Sequence, residues 1–294
     1  YNKKWENMSD LYFANYVVAW IDVLGQTSSL EIIGPLPSSD AEMGAFVAPL
    51  KVTFGRVGGF RELLLKYQRQ LTKKSDVPDH LKKTLSKEDL AMCEKYTTPA
   101  VEAVFLADAA MLNVCLREDS GCSPLVGIYS MLDILSLTMI SCLAAHTPLR
   151  GGIDLGVCAK ITEDELYGQA VSRAHHIEQK VASHPRIVIG PNLITYLKAI
   201  ENFSISGPNT PEKKIQNGWL NHIVSKLEID TDGKVILSYL KGGQSGLPEF
   251  SYLVDKATRF IKETISVFAG VRNDELVRRY EELKKYFERC NCWS

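Results

Sequence analysis

The chain has 294 residues, of which 45% are hydrophobic and 23% charged, a composition that supplies a core and excludes wholesale disorder. Lysine and arginine number 34, aspartate and glutamate 35, which gives a formal net charge of -1. That balance argues against duplex nucleic acid or an anionic membrane as the main partner. Seven scattered cysteines, an odd number, predict reduced thiols and a cytoplasmic location.

The stretch from Val17 to Thr27 predicts a buried central strand that ends in a tight turn. Asp22 interrupts the apolar run, and a buried carboxylate must be protonated, paired or bound to a cation. Gly25 permits a sharp turn, and the amides after it suit phosphate binding at a helix start. Two interpretations stay open for Asp22, a core acid paired to an arginine and a metal-triphosphate site.

The segments that follow alternate between strand and helix patterns. Strands are expected over 16–24, 101–106, 111–116, 149–159 and 185–190, and near a hairpin turned at Thr231-Asp232-Gly233. Helices are expected over 54–71, 86–95, 125–146, 169–183, 191–200, 250–269 and 273–290, with loops over 34–40 and after Phe203. The helix over 125–146 contains Asp133 and several hydroxyl side chains, which indicates a buried helix rather than a membrane span.

This order predicts an α+β fold of the ferredoxin-like, split βαβ type, with a mainly antiparallel sheet and a C-terminal helical extension. We expect a first domain over residues 1–200, with a hairpin and helices over 201–294 packing on the same domain. The apolar surfaces of the helices over 125–146 and 169–183 exceed what one subunit is expected to bury, which predicts a two-fold homodimer.

In the split βαβ plan, the first strand lies beside the hairpin of the next two, so Asp22 and Asp108 approach each other at one sheet edge. Two adjacent carboxylates need a counter-charge, which a pair of Mg²⁺ or Mn²⁺ ions supplies. Such pairs, roughly 3.5–4 Å apart, suit in-line phosphoryl chemistry. The sequence therefore predicts two divalent ions per site, with the Gly25–Ser28 turn around the phosphates.

Four motifs, in this order, resemble those of the class III nucleotide cyclases. They are Ile21-Asp-Val-Leu-Gly, Phe105-Leu-Ala-Asp, Leu149-Arg-Gly-Gly-Ile-Asp-Leu-Gly, and Tyr167-Gly-Gln-Ala with Ile177-Glu. Within that superfamily the chain is most similar to the bacterial pyrimidine cyclases of the Pycsar antiphage systems. The resemblance covers roughly residues 15–200 and matches the C-terminal third only loosely.

The resemblance implies a catalytic domain in which Asp22 and Asp108 are metal ligands and the carbonyl of Val23 completes one site. It also implies a head-to-tail homodimer, with active sites built from both subunits at the interface. The implied reaction is attack of the ribose 3′-hydroxyl of a nucleoside triphosphate on the α-phosphate, which closes a cyclic nucleotide and expels pyrophosphate.

The chain departs from the superfamily at three positions. Many class III cyclases stabilise the transition state with an asparagine and an arginine on the helix after the Tyr-Gly turn. Ser172 and His176 occupy those positions here, on the helix face opposite the Ala-Ile stripe, and they are weaker phosphate ligands. Gln26 replaces the usual phenylalanine in the turn, which changes the packing over the phosphates.

Three further side chains each have two interpretations. Trp20 shares a strand face with Asp22 and is either a stacking platform for the nucleotide or a core tryptophan. Arg61 is a solvated arginine unless the resemblance makes it a phosphate or base ligand. Arg150 pairs with a carboxylate or holds the triphosphate. With Gly25, Gln26 and Thr27 these residues form the expected nucleotide-binding set.

The resemblance thus implies a pyrimidine nucleotide cyclase that makes a second messenger for antiphage defence, and we expect it to use UTP in preference to CTP. A tryptophan beside the metal site would leave room for a one-ring base, and a donor from Arg61 would favour the position-four oxygen of uracil. The alternatives are an adenylate or guanylate cyclase, and a catalytically dead cyclase-like protein that binds nucleotide as a scaffold.

Overall fold

An eight-stranded sheet lies at the centre of the part of the chain that the structure describes. This computed structural model describes residues 12–31, 33–73, 86–117, 122–162, 165–206, 210–242 and 248–293. The strands are Phe13–Val23 (β1), Glu102–Leu106 (β2), Ala109–Cys115 (β3), Leu149–Thr162 (β4), Glu165–Gly168 (β5), Ile187–Ile189 (β6), Leu227–Ile229 (β7) and Val235–Leu237 (β8).

The strand order is β2-β3-β1-β4-β6-β8-β7, and β5 pairs with β4 off this path. β1 is central and runs antiparallel to both β3 and β4, whereas β4 and β6 are parallel. Helical segments separate β1 from β2 and β3 from β4, which is the split βαβ arrangement. The structure therefore confirms the predicted α+β fold with its mainly antiparallel sheet and C-terminal helices.

Helices cover much of the rest of the described chain. They are Gln26–Glu31 (α1), Asp40–Leu71 (α2), Lys87–Lys95 (α3), Pro124–Ala144 (α4), Gln169–Lys180 (α5), Pro191–Ser206 (α6), Pro211–Ser225 (α7), Tyr239–Gly242 (α8), Phe250–Gly270 (α9) and Asp274–Arg289 (α10).

The two faces of β1 pack against different helices, because successive side chains of a strand alternate between faces. Val17 and Ile21 belong to the main hydrophobic cluster, which also includes buried residues of α2, α4, α9 and α10. Tyr16 and Val18 point the other way, into a second cluster that includes Ala174 of α5. The end of β1 therefore lies between a thick helical layer and the single helix α5.

Helix α4 is the core helix of this fold. Its apolar window has a mean hydropathy of 1.7, and 89% of that window is buried inside the protein. Such burial is typical of the core helix of a soluble protein, as the sequence predicted. Every residue of α4 except Tyr129 and Asp133 is buried within one chain, so the predicted surplus of apolar surface on this helix is wrong. The homodimer itself stays a prediction.

Helix α2 begins at Asp40, well before the start predicted at residue 54. The sequence carries no clear signal for this extension because Gly44 and Pro49 are poor helix formers. In the turn after Pro49, the hydroxyl of Thr53 donates a 2.9 Å hydrogen bond to the carbonyl of Leu50.

A helix also replaces part of the polar loop that was predicted after Phe203. Thr210 caps α7 by accepting a 3.3 Å hydrogen bond from the amide of Lys213, and Pro211 occupies the first helical position. Leu220 and Ile223 of α7 are buried in the main cluster. The Thr-Pro-Glu start was the available signal, and the polar residues around it concealed the short apolar stripe.

Candidate active site

Asp22 lies one residue before the end of β1, directly between two neighbouring strands. Its register partners are Ala109 of β3 and Arg150 of β4. Directly opposed residues project from the same face of a sheet, so Asp22, Arg150 and Trp20 share the face that α5 covers. The strand thus presents a half-buried carboxyl group beside an arginine at the sheet end.

Asp108 is held beside this strand end by the turn between β2 and β3. The amide of Val23 donates a 3.3 Å hydrogen bond to the carbonyl of Asp108, which joins the turn to the end of β1. Ala107 has a positive φ of 52°, an uncommon conformation for a residue with a side chain. This confirms the predicted hairpin with an acid at its turn, next to the end of β1.

The surroundings of Asp22 disfavour the ionised form of its carboxyl group. Burial, followed by the negative charges of Asp108 and Glu178, raises the pKa of Asp22 from its ordinary value of 3.8 to about 7. Arg150 opposes this effect but does not cancel it. At neutral pH the site therefore lacks positive charge, and a divalent cation would supply it.

Arg150 is paired with Glu178 of α5, a residue that the sequence analysis did not place in the site. Its Nε donates a 2.7 Å hydrogen bond to Oε1 of Glu178, and Nη2 contacts the same oxygen. Glu178 is only 2% exposed, so the pair is removed from solvent. Arg150 therefore pairs with a carboxylate, as one of its two interpretations expected. Arg186 does not compete for Glu178, because its guanidinium binds Asp230 and Asp232.

Trp20 and Arg61 approach the site from opposite sides of the sheet. The Trp20 ring lies 4.7 Å from the ring of His175 on α5, measured between centroids. Arg61 extends from α2 on the other side, where its Nη2 donates to the carbonyl of Ala107 and its guanidinium lies 5.4 Å from the centre of the Phe105 ring. Because Trp20 and Arg61 lie on opposite sides of the sheet, the base of a bound nucleotide could contact both side chains only beyond the end of β1.

The turn after β1 has the geometry that the glycine predicted. Gly25 has a φ of 83°, in the left-handed region that glycine adopts without strain. Gln26 begins α1 and is 2% exposed, yet neither atom of its side-chain amide has a hydrogen-bond partner in the described part of the chain. Buried amides are normally satisfied, so this pair of atoms is available to a ligand or water. The side chain of Thr27 lies outside the described residues.

Ser172 and His176 are exposed on α5, on the face opposite its buried residues Ala170 and Ala174. This is the face that the sequence predicted for them. Within the described residues, neither makes a hydrogen bond or ion pair with Asp22 or Asp108. The structure thus brings together Asp22, Asp108, Arg150 and Glu178, and leaves Ser172 and His176 facing outward.

The residues at the strand end fit Mg²⁺ or Mn²⁺ better than a transition metal such as zinc. Among the described residues, no group of three or more histidine, cysteine, aspartate or glutamate side chains could hold a metal. Magnesium is commonly bound by one or two carboxylates together with substrate phosphates and water. Two carboxylates at a strand end, one with a raised pKa, meet that requirement.

Comparisons with family models and with curated proteins find no match to this chain. The cyclase resemblance therefore depends on the motifs in the sequence.

Proposed function

We propose that this protein is a metal-dependent pyrimidine nucleotide cyclase that converts UTP, or CTP, to the 3′,5′-cyclic nucleotide and pyrophosphate. The main support is the proximity of the Asp22 and Asp108 carboxyl groups at the end of β1, where the pKa of Asp22 is raised to about 7. Perturbed carboxyl groups of this kind are concentrated at functional sites, although structural ion pairs also produce them.

In this proposal Asp22, Asp108 and the carbonyl of Val23 would hold the divalent ions. Bound ions would activate the ribose 3′-oxygen and neutralise charge on the pyrophosphate leaving group. The 3′-oxygen would form a bond to the α-phosphorus as the bond from the α-phosphorus to the oxygen that links it to the β-phosphorus breaks. Pyrophosphate would leave with that oxygen, and the hydroxyl proton would pass to water.

The protein's own groups would supply position and shape. The Gly25–Thr27 turn would face the phosphates, and the unsatisfied amide of Gln26 would offer both a donor and an acceptor. The Glu178–Arg150 pair holds the arginine beside Asp22, and Arg61 holds the turn that carries Asp108. Trp20 would pack against the base.

The remaining parts of the proposal concern assembly and location. Ser172 and His176, exposed on α5, would act across the interface of a head-to-tail homodimer in the cytoplasm. A fully active monomer in sedimentation experiments would contradict the shared site. The product would serve as a second messenger in antiphage defence.

Two alternatives remain. A purine cyclase of the same superfamily would use the same aspartates with ATP or GTP. A nucleotide-binding scaffold without turnover is favoured by Ser172 and His176, which lack the amide and guanidinium groups that stabilise the transition state in related cyclases.

The test is incubation with each of the four nucleoside triphosphates and Mn²⁺, with products identified by mass. Wild type should form cyclic UMP as the main product. Asp22→Asn should abolish it, whereas Asp255→Asn, an exposed aspartate on α9, should not. Cyclic AMP or cyclic GMP as the main product would overturn the pyrimidine assignment. Nucleotide binding with no product would favour the scaffold.

A further inference from the structure

A cleft of about 470 Å³ lies between the C-terminal part of α5 and the outer side of α10. Gln179 and Lys180 at the end of α5 line one wall, and Glu275 and Arg278 on α10 line the other. Its size falls within the range of small-molecule sites in proteins. Arg150, the register partner of Asp22, also lines this cleft, which therefore adjoins the candidate active site.

The charges in the cleft are unbalanced. Four cationic side chains line it, and the two lining carboxylates each have a basic partner on their own helix: Glu275 with Arg279, and Glu282 with Lys285. His184 forms part of the wall, and burial together with Arg186 lowers its pKa to about 4, so its imidazole is neutral at pH 7.

Two of the cations have no acidic partner. Within the described residues, Lys180 and Arg278 form no ion pair, and both side chains are exposed to solvent in the cleft. Ser183, also exposed there, adds a hydroxyl group as a further donor. Unpaired cations on facing walls, with a hydroxyl group in the same cleft, suit an anion with several negatively charged oxygens.

We propose that this cleft binds a phosphate anion of the pyrophosphate or triphosphate class, with Lys180 and Arg278 as its principal ligands. The anion has two possible sources, the triphosphate group of a nucleotide and free pyrophosphate. The site requires no divalent metal, so its occupancy does not depend on the proposed cyclase activity.

The test is calorimetric titration of the full chain with inorganic pyrophosphate, at low ionic strength and in EDTA. Wild type should bind, and added salt should weaken the binding because the ligands are exposed. The double variant Lys180→Ala/Arg278→Ala should bind about tenfold more weakly, since charged hydrogen bonds are lost. The matched control Arg69→Ala/Lys198→Ala also removes one arginine and one lysine, from exposed positions on α2 and α6. It should bind pyrophosphate like wild type.

Competition between UTP and pyrophosphate then identifies the source of the anion. If UTP in EDTA displaces pyrophosphate, the cleft takes the triphosphate group of a nucleotide. If UTP does not displace it, the cleft takes a free anion. Absence of binding by wild type, or equal affinity in wild type and the Lys180→Ala/Arg278→Ala variant, would overturn the proposal. Both substitutions are at exposed positions, so unchanged thermal unfolding of the variant will show that it is folded.

Discussion

At neutral pH the carboxyl group of Asp22 divides between its protonated and ionised forms, because its pKa is about 7 in the folded protein. Burial is the largest cause, and the nearby Asp108 and Glu178 carboxylates add to it. In an unfolded chain the same group would have an ordinary pKa near 4. The folded protein therefore holds a proton over a pH range in which the unfolded chain has lost it.

The free energy of unfolding of metal-free protein should consequently fall as pH rises from about 4 to about 7, and this contribution should be constant above that range. Asp22→Asn removes the penalty and should stabilise the protein at pH 8 by about 1–2 kcal/mol, a figure reduced for the partial exposure of the carboxyl group. The stabilisation should vanish near pH 4. Urea denaturation in EDTA across this range measures the difference.

Asp255→Asn serves as the control, because that aspartate is exposed and distant in sequence from the site. Its stability relative to wild type should not change with pH in this window. A constant difference between Asp22→Asn and wild type from pH 4 to pH 8 would show that the carboxyl group titrates normally.

The position of α5 depends on two glycines of β4. A Cβ atom added at Gly152 of β4 would lie 2.4 Å from the carbonyl oxygen of Ala174 and 2.7 Å from Cβ of Ile177. At Gly156 it would lie 2.8 Å from the amide nitrogen of Ala170. The helix that carries Glu178, Ser172 and His176 can therefore approach β4 closely because these two positions lack side chains.

Gly152→Ala should accordingly displace α5 and cost about 1–3 kcal/mol of stability, the range for overpacking a tight contact. Gly58→Ala is the matched control, since a Cβ there meets nothing within 4 Å and the residue lies inside α2. Alanine should stabilise that helix by up to about 1 kcal/mol. Thermal or urea unfolding measures both, and an unchanged or increased stability of Gly152→Ala would contradict the close packing.

For the whole molecule, the C-terminal helices complete the core beneath α4. Ala257 and Ile261 of α9 and Phe287 of α10 are fully buried in the same cluster as Val17 of β1. Removing them would expose a large apolar surface on α4, a helix whose residues are almost all buried in the complete chain. The described parts of residues 15–200 and of the C-terminal third therefore share one hydrophobic core.

A fragment that ends at residue 206 should fail to fold cooperatively, since the free energy from burying α4 would be lost. Its urea unfolding, followed by circular dichroism, should show no sigmoidal transition, in contrast to the full chain. A sharp transition in the fragment would mean that the first 206 residues form an independent domain.

The sequence by itself determined the central strand, the hairpin with Asp108 at its turn, and the approach of that turn to Asp22. The strand and the hairpin depend on local features: a continuous apolar run that ends at a glycine, and a turn between two apolar runs. The approach of the turn to Asp22 follows from the split βαβ order of the elements. The glycines of β4 are also visible in the sequence, and Gly152 and Gly156 are the positions that allow the close approach of α5.

Only the tertiary structure decided which charges meet. Arg150 lies opposite Asp22 in the sheet, yet its guanidinium is taken by Glu178 from a helix that follows later in the chain. The same helix places His175 against the Trp20 ring, and α2 and α9 pack on α4, the helix whose apolar surface had suggested a dimer. Partners distant in sequence are chosen by how helices pack on the sheet, and no local pattern encodes that packing because it depends on the shape of the whole core.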